Sequence, residues 1–104
     1  MAKVKATFFL PLNDNDGRSL RAEIRAVEDA LLNSFPGYTK TAPVSGIYRM
    51  ADGTKVKDRC RSYFIWIEEE QLDQLKEIVR TFKAATTQEA IYFDVLYNSD
   101  VDFI

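Results

Sequence analysis

Alternate positions at the start of the chain are apolar: Val4, Ala6, Phe8 and Leu10. That period of two belongs to a strand with one buried face, and the pattern predicts a strand over residues 3–12. Phe9 adds a large apolar side chain to the opposite face. Asn13 to Gly17 reads NDNDG, turn chemistry in which Asn and Asp bond nearby backbone and Gly frees φ. Asp16 or Ser19 is expected to cap the helix that follows, because a short side-chain oxygen reaches the free N–H groups of a first turn. Leu20, Ile24, Val27 and Leu31 then recur at helical spacing, with Ala30 beside them and Arg21, Glu23, Arg25, Glu28 and Asp29 on the wet side. The spacing predicts a helix near 19–34, ended by Pro36-Gly37.

Extended character resumes after Tyr38, with a strand expected from Val44 to Met50. Asp52-Gly53 between two extended runs predicts a hairpin closed by a type I′ turn. The next strand runs from Lys55 to about Ile67. Glu68, Glu69 and Glu70 place negative charge at the start of a second helix, near 69–84, where the helix dipole favours it. Leu72, Leu75, Ile78, Val79 and Phe82 form its apolar stripe, residues 91–97 (IYFDVLY) read as a last strand, and 98–104 as a tail.

The order β-α-β-β-α-β, with right-handed crossovers, implies a single α+β domain over residues 1–104. The expected fold is a ferredoxin-like sandwich: a four-stranded antiparallel sheet with both helices on one face. The first and third strands are central in that topology. The third strand changes character along its length. Lys55, Lys57, Arg59 and Arg61 share a face with Tyr63, Ile65 and Ile67 further on. The helices can cover only the second group, so the charged half is expected to project past the sheet into water.

The other face is also apolar. Phe9, Phe64, Trp66, Tyr92 and Leu96 make a patch of the kind that marks an interface. A homodimer packed through this open face is expected, as in dimeric α+β barrels. The other possibilities are a small apolar ligand held on the face, or a bulge that shifts the parity and removes the patch.

Composition narrows the chemistry. The chain has 104 residues, no histidine and one cysteine, Cys60. No internal disulfide can form, transition-metal sites and Ser-His or Cys-His pairs are not expected, and no cofactor is called for. A carboxylate-only Mg²⁺ or Ca²⁺ site stays open. Cys60 reads as a small apolar residue rather than a nucleophile. A net charge of −2 offers no general attraction to nucleic acid or anionic membrane. No apolar run approaches the roughly 20 residues needed to span a bilayer, and no secretory signal is evident, so a cytoplasmic protein is expected.

Three short stretches remain: Gly37-Tyr38, Gly46-Ile47-Tyr48 with Gly53 and Asp58 beyond it, and Gln88-Glu89-Ala90-Ile91. In these the chain resembles a group of small, uncharacterised bacterial proteins with a ferredoxin-like fold, over residues 36–97. It departs from that group in having Tyr where Trp is expected and Asp where Glu is expected. The resemblance implies the fold and carries no activity. Tyr38, Tyr48, Asp58 and Glu89, with Gln88, could converge on one pocket, where a buried carboxylate serves as base and a Tyr hydroxyl polarises a substrate oxygen. Each also has a plain structural role: Gln88 bonding the carbonyls at the helix end, Glu89 pairing with a cation of a neighbouring strand. The basic set Arg49, Lys55, Lys57, Arg59 and Arg61 reads first as solvated hairpin charge that blunts a sheet edge. An anion or RNA contact is the alternative, although RCRSYFIWI lacks the run of RNA-recognition modules. Three functions follow in order: a dimeric ligand-binding or protein-interaction module, a metal-independent enzyme with a carboxylate/tyrosine pocket, and a binder of single-stranded RNA.

Overall fold

A computed structural model of the chain describes residues 3–97 together with Asp102 and Ile104. Most of the expected tail therefore lies outside the described residues. The elements are β1 (Lys3–Pro11), α1 (Arg21–Ser34), β2 (Thr39–Lys40), β3 (Val44–Arg49), β4 (Lys55–Glu68), α2 (Leu72–Ala85) and β5 (Phe93–Leu96). β2 and β3 both pair with β4, so the sheet reads β2/β3, β4, β1, β5, antiparallel throughout, with β1 and β4 central. This is the ferredoxin-like order.

One face of the sheet makes the core. Val4, Ala6, Phe8 and Leu10 of β1 are fully buried, and Tyr63, Ile65 and Ile67 of β4 lie beside them. α1 contributes Ile24, Val27 and Leu31, preceded by Leu20, and α2 contributes Leu72, Leu75, Val79 and Phe82. Each large apolar side chain buried this way is worth about 1.5–3 kcal/mol. Ile78 is only partly buried against this cluster. Both helices thus cover the same face.

Several local expectations change. Asp16 does not cap α1. The N-cap position is Leu20, with no side-chain cap, and the carboxylate of Asp14 organises the turn by accepting the N–H groups of Asp16 and Arg18. Ser19 does assist, its hydroxyl oxygen accepting the Arg21 N–H at 3.2 Å. The hairpin turn is not type I′. Gly53 alone has positive φ, at 88°, and Asp52 does not. The Gly53 N–H bonds the Met50 carbonyl and the Met50 N–H bonds the Thr54 carbonyl, a three-residue loop with glycine at the left-handed position. α2 begins at Leu72, after a single 3₁₀ turn, Glu69–Gln71, closed by a capping box between Glu68 and Gln71. β5 is shorter than residues 91–97, although the Phe9 N–H still bonds the Tyr92 carbonyl.

The edge opposite β5 is broken by one extra residue. Lys40 pairs with Tyr63, yet Val44 pairs with Cys60, so three residues on the edge face two on β4. Pro43 lies in this bulge, where no ladder N–H is needed. Thr41 bridges the gap: its N–H bonds the Ser62 carbonyl, and its hydroxyl oxygen accepts the Ser62 N–H. Beyond it β3 and the first half of β4 form a two-stranded ribbon that runs past the helices, and the molecule measures 45 × 26 × 23 Å.

Candidate functional site

Constant register between β1 and β4 leaves no parity shift in the central strands. Lys5, Thr7 and Phe9 of β1 therefore share the second face with Ser62, Phe64 and Trp66 of β4. Across β1, the pairs Ala6 with Val95 and Phe8 with Phe93 turn Phe93 and Val95 inward and leave Tyr92, Asp94 and Leu96 on the second face. No described helix or strand packs on it. Phe9, Phe64 and Trp66 are half-buried, while Tyr92 and Leu96 are 52% and 56% exposed. The ammonium of Lys5 stands 4.5 Å from the Phe64 ring centre and 5.7 Å from that of Trp66. That charge shields the aromatics at one end only.

At the other end of the face, where the ribbon leaves the sheet, the surface sinks into a hollow. Tyr48, Asp58, Cys60, Gln88, Phe9 and Tyr92 line it. Gly46 sits directly across from Asp58, and Tyr48 two residues on shares its face. The Tyr48 ring folds back over Gly46: a Cβ there would meet its ring carbons at 2.8 Å. Gly46-x-Tyr48 is thus a steric pair, in which a missing side chain lets the ring lie against the strand beside Asp58. Phe9 and Tyr92 stack with centroids 4.6 Å apart and planes 19° off parallel. The Tyr92 hydroxyl donates to Asp94, and that bond holds the phenol above its usual pKa, as a neutral donor. Cys60 is buried among these groups. Desolvation, with the Asp58 charge adding, raises its thiol, so it is a neutral, weakly nucleophilic wall residue.

The sequence-derived set is divided. Tyr48, Asp58 and Gln88 share the hollow. Glu89 does not reach it. It lies exposed in a second concavity, between α2 and the approach to β5, with Lys76, Arg80 and Lys83. Tyr38 is in a third, beside Phe64 and Trp66 at the β2 edge, and tilts against the Tyr63 ring at 5.9 Å. The reason is topological: Tyr38 precedes the bulge and Tyr48 follows it, at opposite ends of the edge. The structural roles also differ. The hydroxyl of Thr86, not the Gln88 side chain, bonds the end of α2, donating to the Phe82 carbonyl at 2.8 Å. Gln88 takes part through its backbone N–H, to the Lys83 carbonyl. Glu89 forms no ion pair among the described residues.

Cys60, Phe9 and Tyr92 were not assigned to this site from the sequence. Their signal was register: Cys60 pairs with both Pro11 and Val44, which brings the end of β1, the start of β3 and the middle of β4 to one spot. A carboxylate–tyrosine pair does exist elsewhere. The Tyr63 hydroxyl donates to Glu28 at 2.7 Å, and Lys40 meets the same carboxylate oxygen at 2.9 Å. It supports the fold beneath Tyr38 and lies on the helix side of the sheet. Among the described residues no cluster of three His, Cys, Asp or Glu side chains is placed to hold a metal, and no helix is long and apolar enough to cross a membrane.

No family model matches the chain and no curated protein matches it. Solved structures do. CutA1 from Oryza sativa superposes with a TM-score of 0.72 at 14% identity, covering 98% of this chain and 84% of that one. A phage SAM lyase in complex with S-methyl-5′-thioadenosine gives 0.71 at 13%, covering 91% and 81%. The divalent cation tolerance protein (CutA1) of Thermus thermophilus gives 0.70 at 17%, covering 96% and 87%. At such identities the likeness is one of architecture, and the chain shares the ferredoxin-like fold of these proteins.

Proposed function

We propose that the protein is a small self-associating module, a homodimer whose open sheet face is covered by a second copy. The observation that carries this is the aromatic second face, with Phe9, Phe64 and Trp66 only half-buried and no described element over them. Covering such a patch removes apolar surface from water at about 25 cal/mol per Å². Light scattering should return twice the 12.0 kDa of the chain, and Phe64→Glu, which faces away from the core, should halve that mass or make the protein insoluble. A single-chain mass for the wild type at high concentration would refute the dimer.

A second reading adds a ligand at the hollow. The stacked Phe9–Tyr92 pair next to a carboxylate and an amide suits a flat heteroaromatic group carrying hydroxyls. Because one structural neighbour is a SAM lyase held with S-methyl-5′-thioadenosine, that nucleoside is the first probe. Titration calorimetry should detect it with wild-type protein and lose it with Asp58→Asn. Heat from wild type and Asp58→Asn alike would remove Asp58 from the site, and no heat from either would remove the nucleoside. A metal-independent enzyme would further require turnover of the bound molecule.

A further inference from the structure

The ribbon has two faces of different character. One carries Tyr48, Asp58 and Cys60. The other carries Arg49 and the row Lys55, Lys57, Arg59 and Arg61, with Arg49 directly across from Lys55. Between residues 40 and 61 the chain holds six cations and two carboxylates, while the whole molecule is net −2. One of the six, Lys40, is committed to Glu28. The other five enter no ion pair among the described residues. Asp58 cannot neutralise them, since it points to the opposite face, and Asp52 at the tip is bonded to the Thr54 N–H. Arg49, Lys55, Lys57 and Arg59 are exposed.

We propose that this basic row binds the phosphate backbone of a single polynucleotide strand. Alternate residues of a strand lie about 6.7 Å apart. Lys55, Lys57 and Arg59 at that interval, with Arg49 across from Lys55, make a narrow row of four exposed cations, with a repeat of the same order as that of a nucleotide chain. A lipid surface would call for a plane of charge with apolar anchors, and this face offers a single one, Ile47, at 71% exposure. The half-exposed aromatics Phe9, Phe64, Trp66 and Tyr92 lie on the other face, so bases are not read and recognition is sequence-tolerant. Net charge argues only against diffuse attraction. At ordinary ionic strength charges beyond about 8 Å are screened, and the local row governs a contact.

Fluorescence anisotropy of a labelled single-stranded oligonucleotide, from about 50 to 200 mM salt, tests this. The expected slope of log K against log salt is about −3, at roughly −0.7 for each of four phosphates. Lys55→Glu with Lys57→Glu should weaken binding at least about tenfold and flatten the slope by about 1.4, two phosphates' worth. The same charge change on α2, Arg80→Glu with Lys83→Glu, should leave affinity within about twofold, because neither residue belongs to the ribbon that carries the row. Equal weakening by both pairs would mean a diffuse electrostatic effect and overturn the site. So would no anisotropy change at the lowest salt, or binding to anionic phosphatidylserine vesicles without binding to the oligonucleotide.

Discussion

Tyr63 shows how one side chain can do core and polar work together. Its ring is fully buried and stacks on Phe8 at 5.4 Å, while its hydroxyl reaches Glu28. Burial, and then the Glu28 bond and charge, raise the phenol well above its usual pKa. Burial alone would raise Glu28 too, but the bonds from Tyr63 and Lys40 outweigh it and the carboxyl ends below its ordinary value. The two signs give two pH limits. A raised phenol pKa supplies stability that is complete below the unfolded value near 10 and is lost as pH climbs beyond it. A lowered carboxyl supplies stability present above the unfolded value near 4.5 and lost as pH falls through the folded one. Tyr63→Phe should therefore cost about 1.5–3 kcal/mol at pH 7, the worth of a bond to a charged group. Its stability should also fall less steeply than the wild type's above pH 10, which urea titrations across pH would reveal. Thr87 offers the opposite opportunity. It ends α2 with φ of 53°, a β-branched residue in left-handed backbone, with its N–H on Ala84 and that of Gln88 on Lys83. Glycine is the ordinary occupant there, so Thr87→Gly should stabilise the fold by about 1 kcal/mol, read as a raised thermal midpoint.

At the scale of elements, the broken edge is the feature that makes the site. One extra residue between β2 and β3 shifts the parity of the edge, so that Tyr48 shares a face with Asp58 and Cys60, and starts the ribbon. Without a side chain at Gly46 the Tyr48 ring lies flat and forms one wall of the hollow. Gly46→Ala should push that ring outward and weaken any ligand at the hollow. It should leave the thermal midpoint almost unchanged, since the displaced atoms are the end of a 48% exposed side chain. A large loss of stability would show instead that Tyr48 packing holds the ribbon in place. The 3₁₀ turn before α2 has its own test. Gln71→Ala removes the acceptor for the Glu68 N–H and should cost about 1 kcal/mol.

For the whole molecule, the sheet separates two surfaces. The aromatic face and the basic row look in opposite directions, so self-association and backbone binding should respond to different substitutions. Lys55→Glu with Lys57→Glu should leave the mass from light scattering unchanged. A fall in mass would mean that the ribbon is itself part of the contact between copies.

Alternation and helical spacing determined the architecture. Val4, Ala6, Phe8 and Leu10, the stripe Leu20, Ile24, Val27 and Leu31, and most of the second stripe are buried as their periods require. A period of two or of 3.6 is a local property, and one buried face suffices to specify it. The same parity along Lys55 to Ile67 made the projecting charged half legible. What needed tertiary structure were events that depend on one residue of register. The turn at Asp52 looked like type I′ because the dipeptide is compatible with it, yet pairing Arg49 with Lys55 leaves five residues to close and selects another geometry. The bulge after Lys40 has no signature in hydrophobic pattern, because it falls among exposed side chains, and it decides that Tyr48 shares a face with Asp58 and Cys60 rather than with the basic row. Likewise Gln88 and Glu89 are neighbours in the chain but line different hollows, because the chain bends at Glu89 between α2 and β5.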